Sequence, residues 1–588
     1  MDTNVDARMR TCLARLLVLL CTLHSGRAAC YFPVELQGKY VMQSTATSSV
    51  QYSQVDITAD AIPIWGHCHR RIGNNVILMD ESGGASCIRC FHVRLRSRNV
   101  LQVHTEGLDK CYTSEHVAEA KCPNEATLHM QEPSKEILLY KSHDSGGEPI
   151  RPEYCPINGR FTFTYSGVGG ECPVPVSELD NCPSGASLSL RFRRCSFSDY
   201  NVTYDCLGHW EGPANQRYLS LLHASAADHQ PRYRCALFRE ETEGSVLLAF
   251  SSDSTCRSEL RSAAAGHEML RLAPVRPPAW PASARAAPCR FPTWAQGRWQ
   301  QLTVEGSTMS YRDHTRLQTY TMRCLAEPTS VLPDRFPVFV RTHCGEEMYN
   351  CIWVKLRGMN VLEFQLGDQT YAAANHNLCS DSNFRNRTWI TQGRLDRMQE
   401  TPCPIAGKYT GLIPDAVGLC AKLSSDCNSP DIMYYTVSDC TQSEIYEERE
   451  YRCLGQWEED GLMYTYTQRR DVEAYECFVG SIVSEDEIFI KEAGEHCQRN
   501  IDPLQHGMKL SKMGSCSPGE VNHPQNTHTT TSWLSIRPST EMTKPWKPIT
   551  APPRVPGRET KSASSVTTPK GFAIFLLILF ILDQCCVL

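Results

Sequence analysis

Thirty cysteines in 588 residues leave this chain few ways to fold. Thiols at such density persist as metal-bound thiolates or as disulfides. Metal ligation would call for repeated Cys-x-x-Cys pairs, and Cys87-Ile-Arg-Cys90 alone has that spacing. The chain therefore reads as a disulfide-stapled protein of an oxidising compartment. Cys12, Cys21, Cys585 and Cys586 lie in end segments that processing would remove, which leaves 26, an even number. A net charge of −6 with no basic stripe sets nucleic acid aside as a partner.

The 26 fall into two ordered sets. The first is Cys30, Cys68, Cys87, Cys90, Cys111, Cys155, Cys172, Cys182, Cys195, Cys206, Cys235 and Cys256. The second is Cys289, Cys324, Cys344, Cys351, Cys379, Cys403, Cys420, Cys427, Cys440, Cys453, Cys477 and Cys497. Cys122 and Cys516 find no counterpart and are expected to pair with each other. Sequence around the cysteines repeats in the same order. Cys155-Pro-Ile-Asn-Gly-Arg-Phe161 matches Cys403-Pro-Ile-Ala-Gly-Lys-Tyr409, and Cys206-Leu-Gly-His-Trp-Glu211 matches Cys453-Leu-Gly-Gln-Trp-Glu458. Val93 to Leu101 matches Val354 to Leu362, and Cys30-Tyr-Phe-Pro33 matches Cys289-Arg-Phe-Pro292. Four matched segments in one order indicate an internal duplication.

Each half divides again, into a module opening on Cys-x-Phe-Pro and one opening on Cys-Pro-Ile-x-Gly. The expected organisation is a signal peptide (1–28), Cys-rich modules at 29–150 and 151–270, a Pro/Ala/Arg linker (271–288), and modules at 289–400 and 401–516. A Ser/Thr/Pro stalk (517–570) and an apolar terminal segment (571–588) follow. Phe161–Tyr165, Leu188–Phe192, Val202–Tyr204, Tyr218–Leu222 and Val246–Phe250 are short runs of aromatic and branched residues between turn formers. They predict an all-β fold of tandem antiparallel sandwiches or small barrels, duplicated and disulfide-stapled.

Arg8 and Arg10, the apolar run Leu13–Leu23 and small residues before Ala29 form a signal peptide. At the other end Gly571–Leu582 reads GFAIFLLILFIL after a polar spacer. Small residues, a spacer and a terminal apolar tail are the pattern of a glycolipid anchor signal, with Ser562 as attachment site. The alternative is a single type I transmembrane helix. Asp583 and the lack of a following Lys or Arg speak against it. Cys585-Cys586-Val587-Leu588 fits a prenylation box by chance, since prenylation is cytosolic. The expected location is the outer leaflet of the plasma membrane. Asn201-Val-Thr203 and Asn386-Arg-Thr388 are N-glycosylation sequons.

No catalytic or metal site is expected. Cys87-Ile-Arg-Cys90 could be a redox pair, but Cys344 and Cys351, its counterparts, lie 7 apart, so structural bridges are the better reading. His67-Cys68-His69 has no second cluster to complete a four-ligand zinc site. His143-Asp-Ser-Gly-Gly147 resembles a serine-protease nucleophile segment without the base that the chemistry needs. The acidic runs Glu444–Glu450 and Ser484–Glu487 read as solvated faces. Trp210 and Trp457, each two residues after a glycine, are expected to pack in a core. A Gly-x-Trp of this kind, like Gly297-Arg298-Trp299, also occurs in lipocalin-type barrels.

The Cys-Pro-Ile-x-Gly and Cys-Leu-Gly-x-Trp segments together resemble an arthropod family of tandem Cys-rich extracellular domains of unknown function, over residues 30–516. That resemblance implies the domain layout and no activity, cofactor or site residue. The expected function is a non-enzymatic cell-surface binding protein of receptor, co-receptor or adhesion type, needing no cofactor. Its partner would be an extracellular protein, a glycan or a small apolar ligand. The alternative is a lipocalin-like carrier of small apolar ligands, which would need an apolar cavity inside a barrel.

Overall fold

The computed structural model describes residues 30–515, apart from 47–48, 82–83, 85, 124–134, 213, 228–229, 258, 376, 386–387, 415–417, 442–444, 471 and 473. The signal, stalk and anchor segments, with Asn386, Cys516 and Ser562, lie outside the described residues. The described chain is all-β, built as four eight-stranded antiparallel sheets in succession. In the second, each strand pairs with the next from Arg160–Gly167 onward. The last strand, Glu268–Pro274, pairs back with the first and closes the barrel. The fourth closes likewise between Lys408–Leu412 and Met508–Gly514. The first and third leave one seam outside the regular strand ladder. In the third it is crossed by Gln300 N–H to Gly393 O (3.0 Å) and Leu395 N–H to Arg298 O (2.9 Å).

Period-two alternation makes each barrel. In Arg160–Gly167 the residues Phe161, Phe163 and Tyr165 turn inward, and in Ser187–Phe192 so do Leu188, Leu190 and Phe192. Closure leaves no sheet edge open to a foreign strand. The interior of the second barrel is filled by rings, with Phe163 and Tyr165 edge-on to Phe192 at 5.2 and 5.3 Å.

The two modules of each half meet through the same strands. Cys87–Ser97 packs on Tyr200–Glu211, and Glu347–Gly358 packs on Ile445–Glu459. The repeated Asn explains itself here. Asn99 Nδ2 donates to Arg151 O (3.0 Å) and Asn360 Nδ2 to Gln399 O (2.7 Å), each tying the chain entering the next module to the hairpin behind it. Trp210 stacks on Tyr218 and Trp457 on Tyr464, both at 5.6 Å. These tryptophans sit in apolar clusters shared between modules rather than inside a barrel, with Val100, Leu138 and Tyr140 in one half and Val361 in the other.

Residues 271–274, assigned to the linker by sequence, belong to the strand Glu268–Pro274. The rest of the linker is largely exposed but held at a few points. Arg341 donates to Pro278 O (2.8 Å) and lies 4.6 Å over the Trp280 ring, while Arg323 donates to Ala284 O (2.7 Å). The halves are also joined directly. Cys182 is bridged to Cys344, Gly185 N–H donates to Leu317 O (2.7 Å), and Tyr154 and Thr319 share a hydroxyl hydrogen bond. The fourth module returns to the first through Arg469–Glu35 (2.9 Å) and an edge-on Tyr31–Tyr446 pair (5.4 Å).

The bridges correct the expected pairing of Cys122 with Cys516. Cys122 is bound to Cys90, within its own module. Five bridges recur between halves: Cys30–Cys68 with Cys289–Cys324, Cys90–Cys122 with Cys351–Cys379, Cys155–Cys206 with Cys403–Cys453, Cys172–Cys195 with Cys420–Cys440, and Cys235–Cys256 with Cys477–Cys497. Cys122 therefore does have a counterpart, Cys379. Cys87 pairs with Cys111. Cys344 is not its equivalent, because it sits in the turn before its strand whereas Cys87 begins one.

Candidate ligand cavity in the fourth barrel

The fourth barrel is built to the same strand plan as the second but is not filled. Counting from the shared Cys155 and Cys403, Phe163 of the second barrel corresponds to Gly411 of the fourth. Counting back from Cys195 and Cys440, Phe192 corresponds to Val437. Two rings of the second core are thus a glycine and a valine in the fourth, neither of which lines the cavity, while Ala236 gives way to Phe478, which does. A cavity of about 80 Å³ lies between the strands. Its wall is largely apolar, with Met433, Phe478, Ile488, Ile490 and Met508 among the lining residues.

One end carries charge. Glu447 and Arg449 alternate inward along Ile445–Glu459, so the acidic run read as a solvated face is partly interior: Arg449 is 5% exposed. Arg449 meets Glu447 at 2.6 Å and Glu476 at 3.6 Å. Arg469 bridges Glu476 (3.4 Å) and Glu35 of the first module (2.9 Å). Tyr451 donates its hydroxyl to Glu476 at 2.7 Å. Buried charges persist only when paired this way.

Glu492 is different. It lines the cavity, is 7% exposed, and both its carboxyl oxygens are buried without a hydrogen-bond partner. Burial first, then the negative Glu476 nearby, hold its carboxyl well above the usual carboxylate range. Its surroundings therefore favour the protonated form. Pairing of Phe478 with Glu492 matches pairing of Ala236 with Phe250 in the second barrel, so the acid stands where a phenylalanine ring fills the other core.

The sequence reading missed this site. Glu476, Phe478, Gly480 and Ile482 share one phase of their strand, as do Met463, Thr465, Thr467 and Arg469 of theirs. Charges in phase with apolar residues were the available signal. The residues singled out by sequence do not converge. Cys68 is bridged, His67 is exposed, and His69 meets Glu115 at 2.9 Å. Asp144 of the protease-like segment accepts from the backbone N–H groups of Gly146 (2.8 Å) and Glu148 (3.1 Å), which makes it a turn former. Cys87 and Cys90 belong to separate bridges. Asn201 is exposed on its strand, where it accepts from Arg193 at 2.7 Å. The one group with metal-ligand proximity among the described residues is Cys182, His343 and Cys344, whose two sulfurs are joined in a disulfide.

Four domain families match along the chain: a Domain of unknown function (DUF7044) at residues 28–127, one (DUF7042) at 151–274, one (DUF7043) at 285–391 and one (DUF7045) at 403–503. The chain carries these four domains in tandem. No curated protein matches it. The cavity lies in the DUF7045 region and the filled barrel in the DUF7042 region. The disulfide-rich fold fits an extracellular protein, and among the described residues no helix is long and apolar enough to cross a membrane.

Proposed function

We propose that this chain is a non-enzymatic extracellular binding protein whose fourth barrel holds a small, largely apolar ligand. The observation that carries this reading is the cavity itself, an apolar space inside a closed eight-stranded barrel whose sister barrel is filled. Barrels of eight strands are just wide enough either to be packed by side chains or to enclose one small molecule. The terminal apolar segment and the small residues around Ser562 support display on the cell surface by a lipid anchor, with a stalk between anchor and domains.

The test is native mass spectrometry of the purified ectodomain, residues 29–516. Co-purified mass that leaves on denaturation and is absent from Met433→Trp, a variant that fills the cavity, is the expected result. Equal retained mass in both proteins would place any ligand elsewhere. Release of the cell-surface protein by phosphatidylinositol-specific phospholipase C tests the anchor separately, and a protein that stays on the membrane would favour the transmembrane alternative.

A further inference from the structure

The charged end of the cavity indicates what kind of ligand it takes. The ion pairs lie on the halves of the strands that run toward the 439–445, 469–474 and 492–508 connections. Met463, Ile482 and Ile488 of the wall lie toward the opposite end. The space is therefore amphipathic along its length.

Behind the charged end, ion pairs join Glu447, Glu476 and Glu35 to Arg449 and Arg469. Lys491 also borders the cavity, but it follows Ile490 and precedes Glu492, so its side chain alternates to the other face of the strand. His506 contributes to the wall near the same end. Within this set Glu492 is the one acid with no donor on either oxygen. An ionised ligand carboxylate would meet Glu492, the acid that lines this end, with Glu476 and Glu447 behind it. A ligand ammonium would meet an acid that lines the cavity and accepts no hydrogen bond on either oxygen, with Arg449 and Arg469 acting on it only through space.

Resting on the cavity as the ligand site, we infer that the fourth barrel selects a small apolar amine, whose ammonium pairs with Glu492 while its hydrocarbon part fills the apolar end. The binding step balances as follows. The ligand enters as the ammonium form, the Glu492 carboxylic acid gives its proton to solvent, and a carboxylate–ammonium pair forms with three N–H donors available to it. One proton is released for each ligand bound.

The experiment compares hexylamine, 1-hexanol and hexanoate, which share one tail, by titration calorimetry on the intact ectodomain at pH 7. Hexylamine is expected to bind at least tenfold tighter than hexanol, and hexanoate more weakly than either. Repeating the amine titration in buffers of different ionisation enthalpy should report release of close to one proton. Glu492→Gln, nearly isosteric and neutral, should bring amine and alcohol to within about threefold of each other and abolish the proton release. Hexanol binding as tightly as hexylamine, or amine binding with no proton release, overturns the amine inference and leaves the cavity reading standing. Failure of all three probes to bind overturns both. Should Glu492→Gln not fold, the proton count on the unaltered protein decides.

Discussion

Gly208 takes a φ of +154°, and a Cβ built there would lie 2.0 Å from Ser97 Oγ of the neighbouring module. The glycine of Cys-Leu-Gly-x-Trp is thus a point of close approach between modules, and its counterpart Gly455 would meet Val361 Cγ2 at 2.8 Å. Gly208→Ala is expected to cost about 1–3 kcal/mol, because both the backbone angle and Ser97 oppose it. Gly455→Ala should cost less, since Val361 can turn away. Thermal unfolding of the two secreted variants checks the order, and equal losses would mean that the contacts do not set the cost. A larger effect is expected inside the fourth barrel. Arg449→Leu removes the partner of half-buried Glu447 and weakens the charge balance at buried Glu476, and stranding a buried carboxylate typically costs about 3–5 kcal/mol. Denaturant unfolding should show that loss, and Glu476→Gln in the same background should restore part of it. The Gly-x-Trp motif was legible as burial. Its burial between modules was not, because sequence spacing does not say which surface a tryptophan faces.

Strands were the easiest elements to read. The runs Phe161–Tyr165 and Leu188–Phe192 carry a strict period of two, and both lie in strands of the second barrel. The connections were harder, since pairing depends on three-dimensional neighbours. Counting alone set Cys122 aside, yet after the short helix Glu115–Ala120 the chain returns to Cys90, as Cys379 returns to Cys351. The 24 cysteines of the bridges described above leave Cys427 and Cys516 of the 26. Cys427 is disulfide-bonded, so non-reduced peptide mapping is expected to recover a peptide joining Cys427 to Cys516, and a Cys516 found alkylated without reduction would refute this. The linker offers a second check. Cys182–Cys344 spans it, with Trp280 held against Arg341. A broad-specificity protease cutting near Pro277 should therefore leave one band on a non-reducing gel and two after reduction. Two bands without reductant would mean that the inter-half bridge does not form. The cavity and Glu492 were out of reach of the sequence. An empty barrel is recognised only against a filled one, once strand register shows which residues point in.

The four modules bring Arg98, His209, His314, Glu495 and His496 into one electrostatic neighbourhood, each module supplying at least one group. Burial pushes His314 down to about 3, helped by the positive Arg312 and Arg98 and by His209 and His496. Burial pushes Glu495 up to about 8, against the pull of Arg98. Both groups are therefore neutral in the folded protein between these values, and the pH dependence of stability follows from that. His314 ordinarily titrates near 6.5, so its contribution is unchanged above 6.5 and stability falls as pH drops from 6.5 toward 3. Glu495 ordinarily titrates near 4.5, so stability falls as pH rises from 4.5 toward 8. Between 4.5 and 6.5 the two slopes cancel, because the unfolded chain gains a proton at the histidine and loses one at the acid. Above 6.5 the histidine no longer offsets the acid, which contributes up to about 1.4 kcal/mol per pH unit. Glu492, also raised, adds in the same sense, while the lowered His343 and His496 act only below 6.5. The melting temperature should therefore be flat or highest in mildly acid solution and fall between pH 6.5 and 8. Glu495→Gln should flatten that fall, because an amide has no proton to lose. A melting temperature that climbs from pH 6.5 to 8, or a fall untouched by Glu495→Gln, would show that the acid is not held neutral where the modules meet.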